Sequence, residues 1–92
     1  MSDPSLSKQL EIKNRLGLHA RAAAQLVQTA AQFDADVTVA KDGQAVNGKS
    51  IIGLMMLAAA QGTLIEVRVS GPQAVEALAA IEHLVDAKFN EE

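Results

Sequence analysis

Hydrophobic and polar positions change period several times along the 92-residue chain, and each change marks an element. Leu10-Glu11-Ile12-Lys13-Asn14 alternates with period two, the pattern of a half-buried strand. Over residues 20–32, Ala20, Ala23, Ala24, Val27, Ala30 and Ala31 fall on one helical face, and Gln25, Gln28 and Gln32 fall largely outside it. This predicts a first helix whose small residues let it lie close to a sheet. Residues 36–40 and 44–46 flank Lys41-Asp42-Gly43, and Asp-Gly between two strand-like runs is a strong hairpin signal. Residues 50–60 are almost wholly apolar and helix-prone, with Gly62 placed to supply a left-handed C-terminal cap. Residues 64–69 are the clearest strand, with Ile65, Val67 and Val69 on one face and Glu66 and Arg68 on the other. A last helix is expected from about Gly71-Pro72, capped by Ser70 or Gly71 with Pro72 in its first turn. It would bury Ala74, Ala77, Leu78, Ile81, Leu84 and Val85 and expose Glu76, His83 and Asp86.

The resulting order, β-α-β-β-α-β-α, implies a two-layer α/β sandwich in which helices cover one face of a sheet. Order alone leaves the strand pairing open. Residues 1–8 are expected to be a flexible tail and residues 9–90 a single domain, with no internal repeat or low-complexity linker.

Composition narrows the class. A chain of this length has room for one core and buries only about 60–65% of the surface its unfolded form exposes. Phe33 and Phe89 are the only aromatic residues, so the core is built from Ala, Val, Ile, Leu and Met, and there are no aromatic platforms for base stacking. The formal charge of −3 argues against nucleic-acid or anionic-membrane binding, both of which need a clustered positive surface. Without cysteine there is no disulfide framework or thiolate metal site, and two histidines this far apart lack metal-ligand spacing. The N-terminus lacks the apolar core of a signal peptide, and no run approaches the ~20 apolar residues of a membrane span. A cytoplasmic protein is expected.

Candidate chemistry concentrates at Arg15-Leu16-Gly17-Leu18-His19-Ala20-Arg21, where a histidine sits at the predicted entrance of the first helix. A helix start has backbone N–H groups without intrahelical partners and the positive end of the macrodipole, so it suits a bound anion. Phosphoryl transfer through histidine needs a neutral ring nitrogen as nucleophile, and Arg21 can reach back with a guanidinium that matches phosphate geometry. The N–H groups of Ala20, Arg21 and Ala22 are candidate donors to the phosphoryl oxygens. Without that setting, a lone histidine is more often a helix cap or a surface side chain; His83, on the polar face of the last helix, is read as merely solvated. A second segment, Asn47-Gly48-Lys49-Ser50-Ile51-Ile52-Gly53-Leu54-Met55-Met56, runs from a turn through the N-cap candidate Ser50 into an apolar helix. On that helix Ile51, Leu54, Met55 and Ala58 can face the core, while Ile52, Met56 and Ala59 follow another line and are expected to be exposed.

Together, Gly17-Leu18-His19-Ala20-Arg21 and Lys49-Ser50-Ile51-Ile52-Gly53-Leu54-Met55 resemble the HPr family of histidine-containing phosphocarriers of the phosphoenolpyruvate-dependent phosphotransferase system. The resemblance covers roughly residues 11–85, with one departure: Ala22 stands where the family usually has proline. It implies a four-stranded antiparallel sheet in the order 1-4-2-3, with three helices on one face and the other face open to water. It also implies a phosphoryl carrier rather than an enzyme, with no cofactor. Its phosphoacceptor would be Nδ1 of His19, loaded by phosphorylated enzyme I and unloaded to EIIA-type domains. In some members an HPr kinase/phosphorylase modifies the serine matching Ser50, a signal of carbon status. Ile52 and Met56, with Ile51 and Met55 beside them, would form the apolar docking surface for these partners. A monomer is expected. Two other readings stay open: a carrier of the nitrogen-related branch with a mainly regulatory role, suggested by Arg15-Leu16-Gly17-Leu18-His19 and the acidic Glu91-Glu92, and a non-catalytic ligand-binding or interaction domain in which His19 is dispensable.

Overall fold

A computed structural model describes residues 5–91. Its elements are β1 (Ser5–Glu11), α1 (Ala20–Ala30), β2 (Asp36–Lys41), β3 (Gln44–Asn47), α2 (Ile51–Met56), β4 (Leu64–Ser70) and α3 (Ala74–Asp86), followed by a short turn at Lys88–Asn90. The four strands form one antiparallel sheet in the order β1-β4-β2-β3, as expected. Val37 and Val39 of β2 and Ile65, Val67 and Val69 of β4 point to the helical layer and are buried, whereas Glu66 and Arg68 alternate to the open face and pair at 2.6 Å. Asp42 and Gly43 both have positive φ, 51° and 82°, so the β2–β3 turn is of the primed type whose twist matches antiparallel strands.

Tertiary packing moved several expected boundaries. Residues 5–8, expected as tail, belong to β1: Ser5 pairs with Ser70 and Lys8 with Val67. The rest of that expected tail, residues 1–4, lies outside the described residues. Edge pairing supplies the order there, because only Leu10 of β1 is buried and the alternation before it carries little hydrophobic signal. In α1 the buried face is Ala22, Ala23, Leu26 and Ala30, about one position away from the expected stripe, and Ala20 and Ala31 are exposed. The one large side chain, Leu26, decides which way the helix faces; the surrounding alanines lose little on either side.

The second helix ends at Met56, well short of residue 60. Ala58 turns left-handed at φ 51°, and it is this residue, not Gly62, that closes the helix end. Three alanines read locally as helix, but their backbone is used elsewhere: Ala59 accepts the Leu18 N–H at 2.8 Å, and Lys41 Nζ donates to the carbonyls of Leu57 and Ala58 at 3.1 and 3.4 Å. A lysine on the last carbonyls of a helix is favourably placed against its negative end. Within α2 only Leu54 is buried; Ile51, Met55 and Ala58, expected to face the core, are exposed, and Ala59, expected outside, is buried. The last helix starts at Ala74, so Pro72 precedes it and neither Ser70 nor Gly71 caps it; Gln73 stands at the cap position without a side-chain bond to the helix. Its buried stripe is Ala74, Ala77, Ile81 and Val85, with Leu78 and Leu84 partly buried and Glu76, His83 and Asp86 exposed.

The tertiary feature with no sequence-based expectation lies after α3. Lys88, Phe89 and Asn90 all have positive φ, between 53° and 61°, and this turn drives Phe89 into the core at 1% exposure. The expected domain end at residue 90 therefore falls one residue short, because Glu91, delivered by this turn, packs onto the loop before α1.

Candidate functional site

The loop from β1 to α1 is built around one glycine and one asparagine. Asn14, Arg15, Leu16 and Gly17 make a tight turn closed by the Gly17 N–H on the Asn14 carbonyl at 3.2 Å. Gly17 has φ 68°, and a Cβ there would lie 2.4 Å from the Ala59 carbonyl oxygen, so both conformation and space require glycine. That approach lets Leu18 bond Ala59 and sink into the core, which leaves His19 at the helix mouth. Asn14 is 1% exposed and holds the turn from inside: its amide donates to the Gly17 carbonyl at 2.7 Å and to Glu91 Oε2 at 2.9 Å. Both acceptors demand N–H groups, which sets the amide orientation and leaves Asn14 Oδ1 buried with no partner among the described residues.

His19 is the N-cap residue of α1. Its backbone is extended, its carbonyl accepts the Ala23 N–H at 2.8 Å, and its Nδ1 accepts the Arg21 N–H at 3.3 Å. Its other ring nitrogen, Nε2, lies 2.5 Å from Glu91 Oε2. The Glu91 carboxyl is held below its ordinary range chiefly by this bond to His19; burial opposes the shift, and the Asn14 amide and the Leu16 backbone N–H add to the lowering. Arg21 is exposed, and its guanidinium is in no ion pair among the described residues, so it is not committed elsewhere. The N–H groups of Ala20 and Ala22 point out of the first turn without an intrahelical partner. Ala22 itself is fully buried beneath the site.

Beside the ring, Leu16, Leu18, Ala58, Ala59 and Ala60 line a shallow apolar hollow that connects the helix mouth to α2. There Ile52 and Met56 are 73% and 65% exposed, with Ile51, Met55 and Leu16 also exposed. Ser50 caps α2, its Oγ accepting the Gly53 N–H at 3.0 Å. Thus the structure brings His19, Arg21 and the first-turn N–H groups together and sets the apolar patch alongside, with Ser50 at the far end of that patch. Sequence reasoning missed two members of the cluster. Asn14 carried only a strand assignment, and Glu91 only a share in an acidic C-terminus; no local pattern marks a residue that arrives from 72 positions away.

Known proteins give an independent comparison. A family model described as "PTS HPr component phosphorylation site" matches residues 6–87. The phosphocarrier protein HPr of Neisseria meningitidis serogroup A is 51% identical over 86 residues, covering 94% of this chain and 97% of that protein. The phosphocarrier protein NPr of Klebsiella oxytoca is 42% identical over 89 residues, covering 96% and 99%. Among solved structures, HPr-C-His from Thermoanaerobacter tengcongensis superposes with a TM-score of 0.91 at 44% identity, covering 95% of this chain and 98% of that one. No described helix is long and apolar enough to cross a membrane. With the sheet order, the helix-mouth histidine and these matches in agreement, the chain belongs to the HPr family of phosphocarrier proteins of the phosphotransferase system, which carry a phosphoryl group and are not enzymes.

Proposed function

We propose that this carrier accepts its phosphoryl group from phosphorylated enzyme I on Nδ1 of His19 and passes it to EIIA-type domains. The observation that supports this most is the direction of Nδ1: its lone pair faces the open first turn of α1, where the Arg21 N–H already meets it. A phosphoryl group on Nδ1 would sit among the N–H groups of Ala20, Arg21 and Ala22, at the positive end of the helix. Arg21 closes the site as a two-pronged donor. These contacts suit a carrier, because helix-terminus effects of about 0.3–1 kcal/mol hold a group without trapping it. Incubation with phosphoenolpyruvate and enzyme I should label the chain with an acid-labile, alkali-stable phosphoramidate; no label under conditions that load a known HPr would end this reading. Arg21→Ala should slow transfer roughly 10- to 100-fold, the worth of one hydrogen bond to a charged group, and leave the melting temperature nearly unchanged. Transfer at the wild-type rate would make Arg21 an ordinary surface charge.

The exposed Ile51, Ile52, Met55 and Met56 form the docking surface in this reading, and methionine suits a face that must fit several partners. Ser50 is proposed as a regulatory phosphosite for an HPr kinase/phosphorylase at the edge of that surface. Ser50→Ala should cost ~1 kcal/mol as a lost cap. Ser50→Asp keeps a capping oxygen, so thermal melts should match wild type while titration shows weaker binding of enzyme I. Equal affinity for both proteins would rule out a docking switch at this position. A second reading, a regulatory carrier of the nitrogen-related branch, is favoured by the NPr of Klebsiella oxytoca among its relatives. Presenting EIIA domains of the two branches in competition decides between them by which is phosphorylated first.

A further inference from the structure

We propose that Glu91 is a positioning residue for the transfer: its carboxylate holds the Nε2–H of His19, so that Nδ1 meets the phosphoryl group as a lone pair and the ring keeps its Nε2 proton through loading and unloading. The inference rests on His19 being the phosphoacceptor. A neutral imidazole has one N–H and one lone pair. The Arg21 N–H can only donate, so Nδ1 must accept. A carboxylate can only accept, so Nε2 must donate. Two contacts from opposite ends of the chain thus select one tautomer, and it is the one that leaves Nδ1 nucleophilic.

Glu91 is also built in rather than draped across the site. Its side chain is 15% exposed, its Oε2 takes the Asn14 amide as well as the ring, and Asn14 ties the pair to the Gly17 carbonyl in the turn that presents His19. Phe89, two residues earlier, is buried and sets where the carboxylate arrives. The lowered range of the carboxyl keeps it ionised at neutral pH. From α1 the ring meets the Arg21 backbone N–H, the Arg21 side chain is exposed, Arg15 and Lys88 are exposed on the adjoining turns, and the loop after α2 contributes only the uncharged Ala58, Ala59 and Ala60.

The charge balance shows what the carboxylate does. On loading, the Nδ1 lone pair forms the P–N bond while the donor's bond to phosphorus breaks and its leaving group keeps that electron pair. No proton leaves the ring, which now carries phosphorus on Nδ1, hydrogen on Nε2 and a positive charge facing Glu91. On unloading, the acceptor's nucleophile bonds phosphorus, the P–N pair returns to Nδ1, and the ring departs as neutral imidazole. A phosphorylated ring that had lost its Nε2 proton would have to depart as imidazolate, a much poorer leaving group. Glu91 opposes that loss by stabilising charge that exists only during and after transfer.

The test compares wild type, Glu91→Gln and Glu91→Ala. The amide oxygen of the Gln variant can still accept the Nε2–H without bringing charge, whereas the Ala variant removes both. Nitrogen-15 NMR of the unphosphorylated His19 ring should show the Nε2–H tautomer in wild type and in Glu91→Gln, and a raised share of the Nδ1–H tautomer in Glu91→Ala, where only the longer 3.3 Å contact from the Arg21 N–H still opposes it. After loading with phosphoenolpyruvate and enzyme I, onward transfer to an EIIA domain should match wild type at mildly acid pH in Glu91→Gln. At alkaline pH it should fall on the order of tenfold, from loss of an opposite charge at hydrogen-bond distance. Identical tautomers and superimposable pH profiles in all three proteins overturn the proposal. Label mapped to a residue other than His19 overturns the phosphoacceptor reading and this proposal with it, and the mapping distinguishes that failure from an indifferent Glu91.

Discussion

His19→Ala should abolish loading by phosphoenolpyruvate and enzyme I while leaving the protein folded. The variant loses the ring nitrogen that would form the P–N bond, and no neighbouring side chain can replace that bond: Arg21 is always charged, Asn14 is buried with its amide committed, and a phosphate on the Glu91 carboxylate would be an alkali-labile acyl phosphate rather than an alkali-stable phosphoramidate. The other histidine, His83, is exposed on α3, whose N-terminus lies at Ala74. The structural cost is small and has a known source. The cap bond from the Arg21 N–H to Nδ1 disappears, worth ~1 kcal/mol, which in a domain of this size lowers the melting temperature by about 4–8 °C, and the Glu91 carboxylate loses the ring while keeping the Asn14 amide, which adds to that loss. Label chemistry and a thermal melt on the same preparation separate the two effects. An acid-labile phosphate persisting in the alanine variant would move the phosphoacceptor elsewhere, and a cooperative transition lost altogether would show that His19 is chiefly a structural residue.

Phe89→Ala should produce the largest loss of stability of any substitution considered for this chain, about 3 kcal/mol, at the low end for emptying a buried aromatic position. Phe89 is the largest fully buried side chain among the described residues and belongs to the same buried core cluster as Val85 and Ile81. The value falls at the low end because the turn that inserts it is itself unfavourable. Lys88, Phe89 and Asn90 are all left-handed, at about 1–2 kcal/mol per residue for side chains that prefer the right-handed region, and a truncated segment can relax by leaving the surface. That relaxation carries Glu91 away from His19. Denaturant melts should show the loss, and proteolysis should reach the C-terminal residues first. A midpoint within experimental error of wild type would mean that the C-terminal turn is not part of the cooperative unit.

Local chemistry determined much of this protein before any contact was known. The period-two run around Val67, the Asp42-Gly43 hairpin and the apolar stripe through Ala77 and Ile81 each encode their own geometry, because strand, turn and helix signals act within a few residues. The Gly17-Leu18-His19-Ala20-Arg21 motif located a helix mouth carrying a histidine, and Ser50 announced its cap. The sheet order came from family resemblance, since hairpin chemistry specifies only that β2 neighbours β3.

What the tertiary structure alone decided lies where a distant partner outweighs local preference. Residues 58–60 leave the helix because the Ala59 carbonyl is needed by Leu18 and because Lys41 closes the end of α2. Residues 5–8 become strand because β4 offers an edge. The Lys88–Asn90 turn accepts a left-handed backbone because Phe89 has a cavity to fill. The same cause hid half of the histidine's surroundings: Asn14 and Glu91 are ordinary polar residues in sequence, and only the return of the turn after α3 onto the β1–α1 loop joins them beside His19. Hydrogen bonds and buried surface between segments more than 70 positions apart leave no periodic trace along the chain, so their partners become visible only once the core has brought them together.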